Sequence, residues 1–256
     1  VQTFAGAAVA VALSEDVSLR LESIGRSHGC TLFQLVVAMW SLLLCRHAGQ
    51  EEVVVGTPYH GRDAAGTEGM IGYFVNMLAL RLEVARGESV SSLLRQARDV
   101  AAGAMRHAAV PWQVVVQELL PRRSHDASRN AVFQTMLSWE EGSIGDVQGV
   151  STLLGASVEV TPLGRGSMPR EAKCELTLEA GVGVSGGLAG EVEFNTDLFE
   201  RASVERLVGR LIFVAEWLAA EDGAVAADVW AVPMLPPEEE ATVLRSFNDT
   251  AAPFPH

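Results

Sequence analysis

The sequence predicts an α/β fold, a two-layer sandwich of sheet and helices. Short β-prone runs alternate with amphipathic helical stretches along most of the chain. Hydrophobic residues make up 48% of the 256, enough for a substantial core in one large or two small domains. Capping residues, glycines and prolines fall between the runs, where chain reversals are needed. No internal repeat is visible.

Residues 3–13 alternate weakly and predict a strand. Ser14 is placed to cap a helix over 15–28, with Glu15 and Asp16 in its first turn and Gly29 as a stop. Thr31 is placed to cap the next helix, 32–48, which ends at Gly49. That helix is apolar almost all round and is expected to be the most buried. His47, near its C-terminal end, suits a capping role. Residues 52–55 are β-prone and lead into a loop, 59–69, rich in Gly and polar residues. Residues 74–82 are apolar at odd and even positions alike, which predicts a strand buried on both faces.

Ser89 opens a helix to 108, with Val90, Leu93, Leu94, Ala97, Ala101, Ala104 and Met105 on one face. Pro111 suits the first turn of a further helix ending near 120. A charged loop, 121–130, precedes predicted strands at 132–139, 158–163, 174–180 and 190–195. Residues 202–220 form a strongly amphipathic helix with Val204, Leu207, Val208, Leu211, Ile212, Ala215 and Leu218 on its apolar stripe. From 222 onward the pattern breaks at Pro233, Pro236 and Pro237, and 238–247 is a short helix candidate.

The formal net charge of −13 argues against a nucleic-acid surface. The longest apolar run, 35–45, is too short for a membrane span of about 20 residues. Cys30, Cys45 and Cys174 are widely spaced without a C-x-x-C pattern, which predicts reduced thiols and a cytoplasmic protein. No residue set has metal-ligand spacing. The start at Val1, without a basic region or cleavage site, reads as a cut inside a longer polypeptide.

One polar residue, Asn76, interrupts the apolar run at 74–82. A buried carboxamide needs partners, because leaving it unpaired costs about 1–3 kcal/mol. Two readings stand side by side: it satisfies neighbouring backbone groups, or it faces a polar channel.

Three motifs carry a family resemblance. Ile71-Gly-Tyr-Phe-Val-Asn-Met-Leu-Ala-Leu-Arg81 resembles the I-G-x-F-V-N-T-x-x-x-R motif of condensation domains from nonribosomal peptide synthetases, with Met77 in place of Thr. His107-Ala-Ala-Val-Pro-Trp112 resembles the next, H-Q-D-x-P-F-E, with Gln113 in place of Glu. Ser124-His-Asp-Ala-Ser-Arg-Asn-Ala-Val-Phe-Gln134 resembles the one after, R-D-x-S-R-x-P-L-F-Q. Their order and separations are those of the family, and the match corresponds to the C-terminal half of such a domain.

The resemblance implies one lobe of a chloramphenicol-acetyltransferase-like fold over 1–232, followed by a linker, 233–256, leading into an adenylation domain. It implies amide-bond formation between a carrier-bound acyl thioester and a carrier-bound amine. No cofactor is bound directly; both substrates ride on phosphopantetheine arms of upstream and downstream carrier domains. The other implied partners are the N-terminal lobe and the adjacent adenylation domain, with neither nucleic acid nor membrane.

The family's key histidine lies in H-H-x-x-x-D-G, and no two histidines are adjacent here. No catalytic residue is therefore expected in this chain, which should be inactive alone. Asn76, with Tyr73 and Met77, is expected to line the tunnel opposite the missing histidine. Arg62 and Asp63 are expected to pair and clamp their loop, and His107 to pack at a helix junction. Ser128, Arg129 and Gln134 match the third motif. Arg129 is expected in a buried or half-buried ion pair with Asp126 or Glu175. His125, Asp126 and Ser128 are triad residue types, but adjacency in sequence does not make a triad. Residues 164–171 are expected to cross to the N-terminal lobe. A free-standing coenzyme-A-dependent acyltransferase would need an H-x-x-x-D motif, which is absent; a non-catalytic recruitment module of the same fold is the other alternative.

Overall fold

A computed structural model describes residues 3–67, 69–119, 129–144, 149–153, 156–160, 170–220 and 223–250. Among these, a seven-stranded sheet is packed on one face by four helices, the two-layer arrangement expected.

The first strand, β1 (Ala5–Ala12), is followed by α1 (Glu15–Ser27) and α2 (Leu32–Ala48). Local chemistry sets both helix starts. The Ser14 hydroxyl accepts from the Val17 amide, and Thr31 and Gln34 form a reciprocal capping box. Gly49 closes α2 in the left-handed conformation that glycine adopts without strain. In α2, Leu35, Val37, Trp40 and Leu43 are fully buried.

Next come β2 (Glu52–Tyr59), β3 (Asn76–Glu83), α3 (Val90–Arg106) and α4 (Trp112–Leu119). The rest of the sheet is β4 (Thr135–Ile144), β7 (Arg170–Glu171), β8 (Leu176–Gly183) and β9 (Leu188–Asn195). Between β4 and β7 a separate hairpin pairs β5 (Gly149–Leu153) with β6 (Ala156–Val160). The sheet order is β3-β2-β4-β8-β9-β1-β7; the β2–β4 and β4–β8 pairs are parallel and the others antiparallel. Strand residues at alternate positions, including Val9, Val55, Leu80, Leu137, Leu178, Val192 and Phe194, enter one core with α1, α2, α3 and α5 (Arg201–Ala220).

Three expectations need correction. The run at 74–82 is not a strand buried on both faces. It begins as a strand only at Asn76, lies at the sheet edge, and alternates: Leu78, Leu80 and Leu82 are buried while Arg81 and Glu83 are exposed. An edge strand with one solvated face keeps the period-2 pattern. Met105 is 42% exposed, off the buried stripe of α3. On α5, Ile212 packs partly buried against the core as expected, and Val214 joins the buried face beside it. Of 164–171, residues 164–169 lie outside the described residues, while Arg170 and Glu171 pair with β1 of their own sheet. Arg170 also meets Glu191 at 2.6 Å.

Residues 224–234 wrap back over the helices. Arg46 donates to the Val229 and Val232 carbonyls at 3.0 and 3.1 Å, and Trp230 sits between Arg46 and Arg86. Beyond them α6 (Pro237–Leu244) is pinned to α5 by a two-point Arg210–Glu239 ion pair, 2.5 and 2.9 Å. The three cysteines are buried free thiols; burial pushes those of Cys45 and Cys174 up to about 11. No single helix among the described residues is long and apolar enough to cross a membrane.

Candidate functional site

The first two motifs meet at one end of the sheet, where β2 ends, β3 begins and α3 turns into α4; the third precedes β4, whose first residue, Thr135, pairs with Val55 nearer the start of β2. Leaving β2, the Tyr59 hydroxyl donates to Asp63 at 2.5 Å and the Tyr59 ring stacks on His60. That hydrogen bond to a carboxylate raises the Tyr59 pKa. Arg62 turns inward and donates to the carbonyls of Thr67 and Met70, the latter at 2.9 Å. Its guanidinium lies 4.4 Å from the Phe74 ring centroid. Gly61 has φ +65, and a Cβ there would come 2.1 Å from the Phe74 carbonyl oxygen, so only glycine fits.

Arg62 and Asp63 therefore clamp the loop, as expected, but through different partners. The fork of the guanidinium matches two loop carbonyls, while Asp63 is taken by Tyr59.

Asn76 is the hinge pin of the corner. Its amide nitrogen donates to the carbonyls of Ala108 and Val110 at 2.8 and 2.7 Å, and its amide oxygen accepts from the Trp112 backbone at 3.0 Å. Both donors and one acceptor of the carboxamide are used, which bears out the backbone-satisfying reading of this residue. One side chain so joins the first residue of β3 to the end of α3 and the start of α4. Beside it Tyr73 is 88% exposed and Met77 half-buried. His107 is exposed and ends α3 as its C-cap, its amide donating to Ala104; it packs little, because the corner turns at that point.

Trp112, at the start of α4, packs its ring 5.2 Å from that of Phe133. Phe133 in turn lies over Gly56 of β2, where a Cβ would approach the ring to 2.3 Å. The third motif thus reaches the first two through an aromatic stack.

The rest of that motif ties β4 to β8. Asn130 donates to the Lys173 carbonyl and the Cys174 sulfur, and Gln134 donates to the Asn130 carbonyl at 3.0 Å. Arg129 meets Glu175 at 3.4 Å, but its side chain is 60% exposed. The expected partner is present and the expected burial is not, because Arg129 precedes the sheet rather than entering it. Ser128, His125 and Asp126 lie outside the described residues. Asn130, Trp112 and Phe133 were not singled out from sequence, although each lies within one of the three motifs.

The arrangement is a scaffold of hydrogen bonds and ring contacts that presents a loop and a corner. Among the described residues no group of three or more His, Cys, Asp or Glu is placed to hold a metal.

Residues 1–234 match the family model described as "Condensation domain". Tyrocidine synthase 3 of Brevibacillus parabrevis is 30% identical over 250 residues, covering 98% of this chain and 4% of that protein. A four-domain nonribosomal peptide synthetase, solved in its holo form with AMP and glycine, superposes with a TM-score of 0.78 at 24% identity, over 94% of this chain and 18% of that one. The first condensation domain of the CDA synthetase superposes with a TM-score of 0.67 at 21% identity, over 91% of this chain and 48% of that one. The chain thus spans a small fraction of the curated relative and about half of that solved condensation domain.

Proposed function

The chain belongs to the condensation-domain family of nonribosomal peptide synthetases, and from that premise we propose that it is the C-terminal half of a condensation domain. Condensation domains are acyltransferases that form amide bonds. In the reaction an amine nitrogen attacks a thioester carbonyl carbon, the C–N bond forms and the C–S bond breaks. The thiol leaves and the amine gives up a proton, so the step needs a positioned amine, a proton acceptor and donors near the oxyanion.

The observation that carries the half-domain reading is the match to about half of a solved condensation domain, in a chain without H-H-x-x-x-D-G. On this reading the other half supplies the histidine, and this chain forms the opposite wall. Asn76 holds that wall in shape, with Tyr73 and Met77 facing the substrates. Phosphopantetheine arms enter as parts of the substrates, carried by neighbouring carrier domains. Residues 233–256 lead toward an adenylation domain, with α6 docked on α5 as the first part of the connection.

The test is a single-turnover assay with an acyl-loaded donor carrier and an aminoacyl-loaded acceptor carrier. The 256-residue chain alone should give no amide product, and the intact two-half domain should give it. Product from the chain alone would overturn the reading.

A further inference from the structure

We propose that Glu179 and Glu193, above the Thr177 hydroxyl, form a subsite that binds a primary ammonium group of the aminoacyl substrate. The inference rests on the reading above that the chain forms one wall around the substrates, and it assigns part of that wall a chemical preference.

These residues share the face of the sheet that points away from α1, α2, α3 and α5. Val55, Leu80, Leu137, Leu178 and Val192 enter the core, so the residues alternating with them face the other way. Register sets Ala79 beside Gly56, Gly56 beside Met136, Met136 beside Thr177, and Thr177 beside Glu193. Met77, two residues before Ala79, is on the same face. Glu179, two residues after Thr177, is set between Ser138 and Glu191.

Charge on this patch is unbalanced. Glu179 and Glu191 are directly opposite each other, and like charges so placed destabilise a sheet. Arg170 takes Glu191 through two bonds, 2.6 and 3.2 Å. One guanidinium thus serves Glu179, Glu191 and Glu193, with Lys173 the weakest of the charges acting on Glu193. Burial and then Glu179 raise the Glu193 pKa, so its carboxylate is short of positive charge.

Carboxylates alone make a solvated surface, but the Thr177 side chain beneath them does not fit one. Thr177 is 2% exposed, and its hydroxyl approaches the Cys174 thiol without making a hydrogen bond of normal geometry among the described residues. A thiol is a weak partner, and a buried hydroxyl left without a good one is destabilising. A primary ammonium brings three N–H donors and a full positive charge. With Glu193 turned onto it, two carboxylates and the hydroxyl below supply three acceptors. Glu179 and Glu193 are a diagonal pair on adjacent strands, about 7–8 Å apart, so both side chains reach one nitrogen between them. Two amines supply such a group: the α-amine, as its ammonium before it gives up a proton, or a side-chain amine such as that of ornithine.

One arm of the test titrates the 256-residue chain with butylammonium and follows backbone amide resonances. Butanol, without the charge, and tetramethylammonium, without N–H, are the controls. Butylammonium should shift Thr177, Glu179 and Glu193 and lower the Glu193 pKa, and the controls should do neither. Glu193→Gln should weaken the response about tenfold or more, the loss that accompanies one hydrogen bond to a charged group. It should not lower the melting temperature, because it removes a like charge. Butylammonium acting no more than the controls, or equally on Glu193→Gln, would overturn the proposal. The other arm measures condensation by the intact two-half domain on acceptor carriers loaded with ornithine or norvaline. Equal loss of rate for both in Glu193→Gln assigns the subsite to the α-amine, and loss for ornithine alone assigns it to the side chain. Loss for neither also overturns the proposal. If the intact domain with Glu193 in place forms no amide, the half-domain reading falls, while the titration still decides whether the subsite binds ammonium.

Discussion

Helix α2 and the segment 60–76 are held in opposite ways. Helix α2 is set by its own caps and then by apolar contacts around most of its surface, Trp40 at their centre with 0% exposure. The 60–76 segment turns much of its apolar surface outward and is held by Arg62 and Asn76, each bonded to backbone groups several to many residues away. Redundant packing tolerates the loss of any one small contact. A segment held by a few polar side chains does not, and its failure stays local.

Trp40→Ala should have the largest effect. It removes a fully buried ring and its 3.0 Å hydrogen bond to Thr135, and large-to-small core changes of this kind cost about 3–5 kcal/mol. Thermal unfolding should show a fall of about 10 °C or more. A smaller loss would mean that α2 is less central than its burial indicates.

Asn76→Ala should cost about 1–2 kcal/mol, because three backbone groups lose a partner at a corner that water can partly reach. Hydrogen exchange should speed up at 108–114 and leave α2 unchanged. If the intact domain instead keeps its melting temperature and loses condensation rate, Asn76 contacts substrate rather than shaping the wall.

Arg129→Ala should cost less than about 1 kcal/mol, since an ion pair with one partner 60% exposed contributes little. Denaturant unfolding of the two proteins should nearly coincide. A loss of several kcal/mol would show that Arg129 is buried by the other half.

The smallest effect concerns a titratable polar anchor of α2, His47. His47 bonds the Leu43 carbonyl at 2.7 Å through Nδ1, so its Nε2 accepts from Arg210 at 2.5 Å. Burial holds the His47 pKa below its ordinary value; the Leu43 bond opposes this, while Arg210 and Arg46 lower it and Glu239 raises it. The unfolded chain therefore takes up the proton first. The contribution is intact above about pH 6.5 and erodes as pH falls below it. Glu239, held low by its hydrogen bond to Arg210, stays charged through that window. Glu193 has the opposite sign, because burial and then Glu179 raise its pKa, so it adds stability as pH falls. Local exchange at α6 is thus the informative readout. Its protection, corrected for intrinsic rates, should weaken between pH 7 and 5.5, and His47→Gln should flatten the dependence.

What the sequence determined by itself was local. The bounds of α1, α2 and α3 follow from Ser14, Thr31, Ser89 and Gly49, because a cap is a bond between residues three or four apart. The three motifs were legible as strings of residue types, and with them the family. Tertiary structure decided everything that depends on residues far apart in the chain meeting in space. That β3 lies at an edge with Arg81 in solvent follows from strand order, which no run of nine residues encodes. That Arg62 bonds carbonyls rather than Asp63, and that Arg129 stays exposed beside Glu175, follows from where the loops settle. Asn76 shows the division most clearly: the need of a carboxamide for partners is a property of the residue, but its partners lie 32 to 36 positions away, and only the packing of α3 and α4 against β3 brings them within reach.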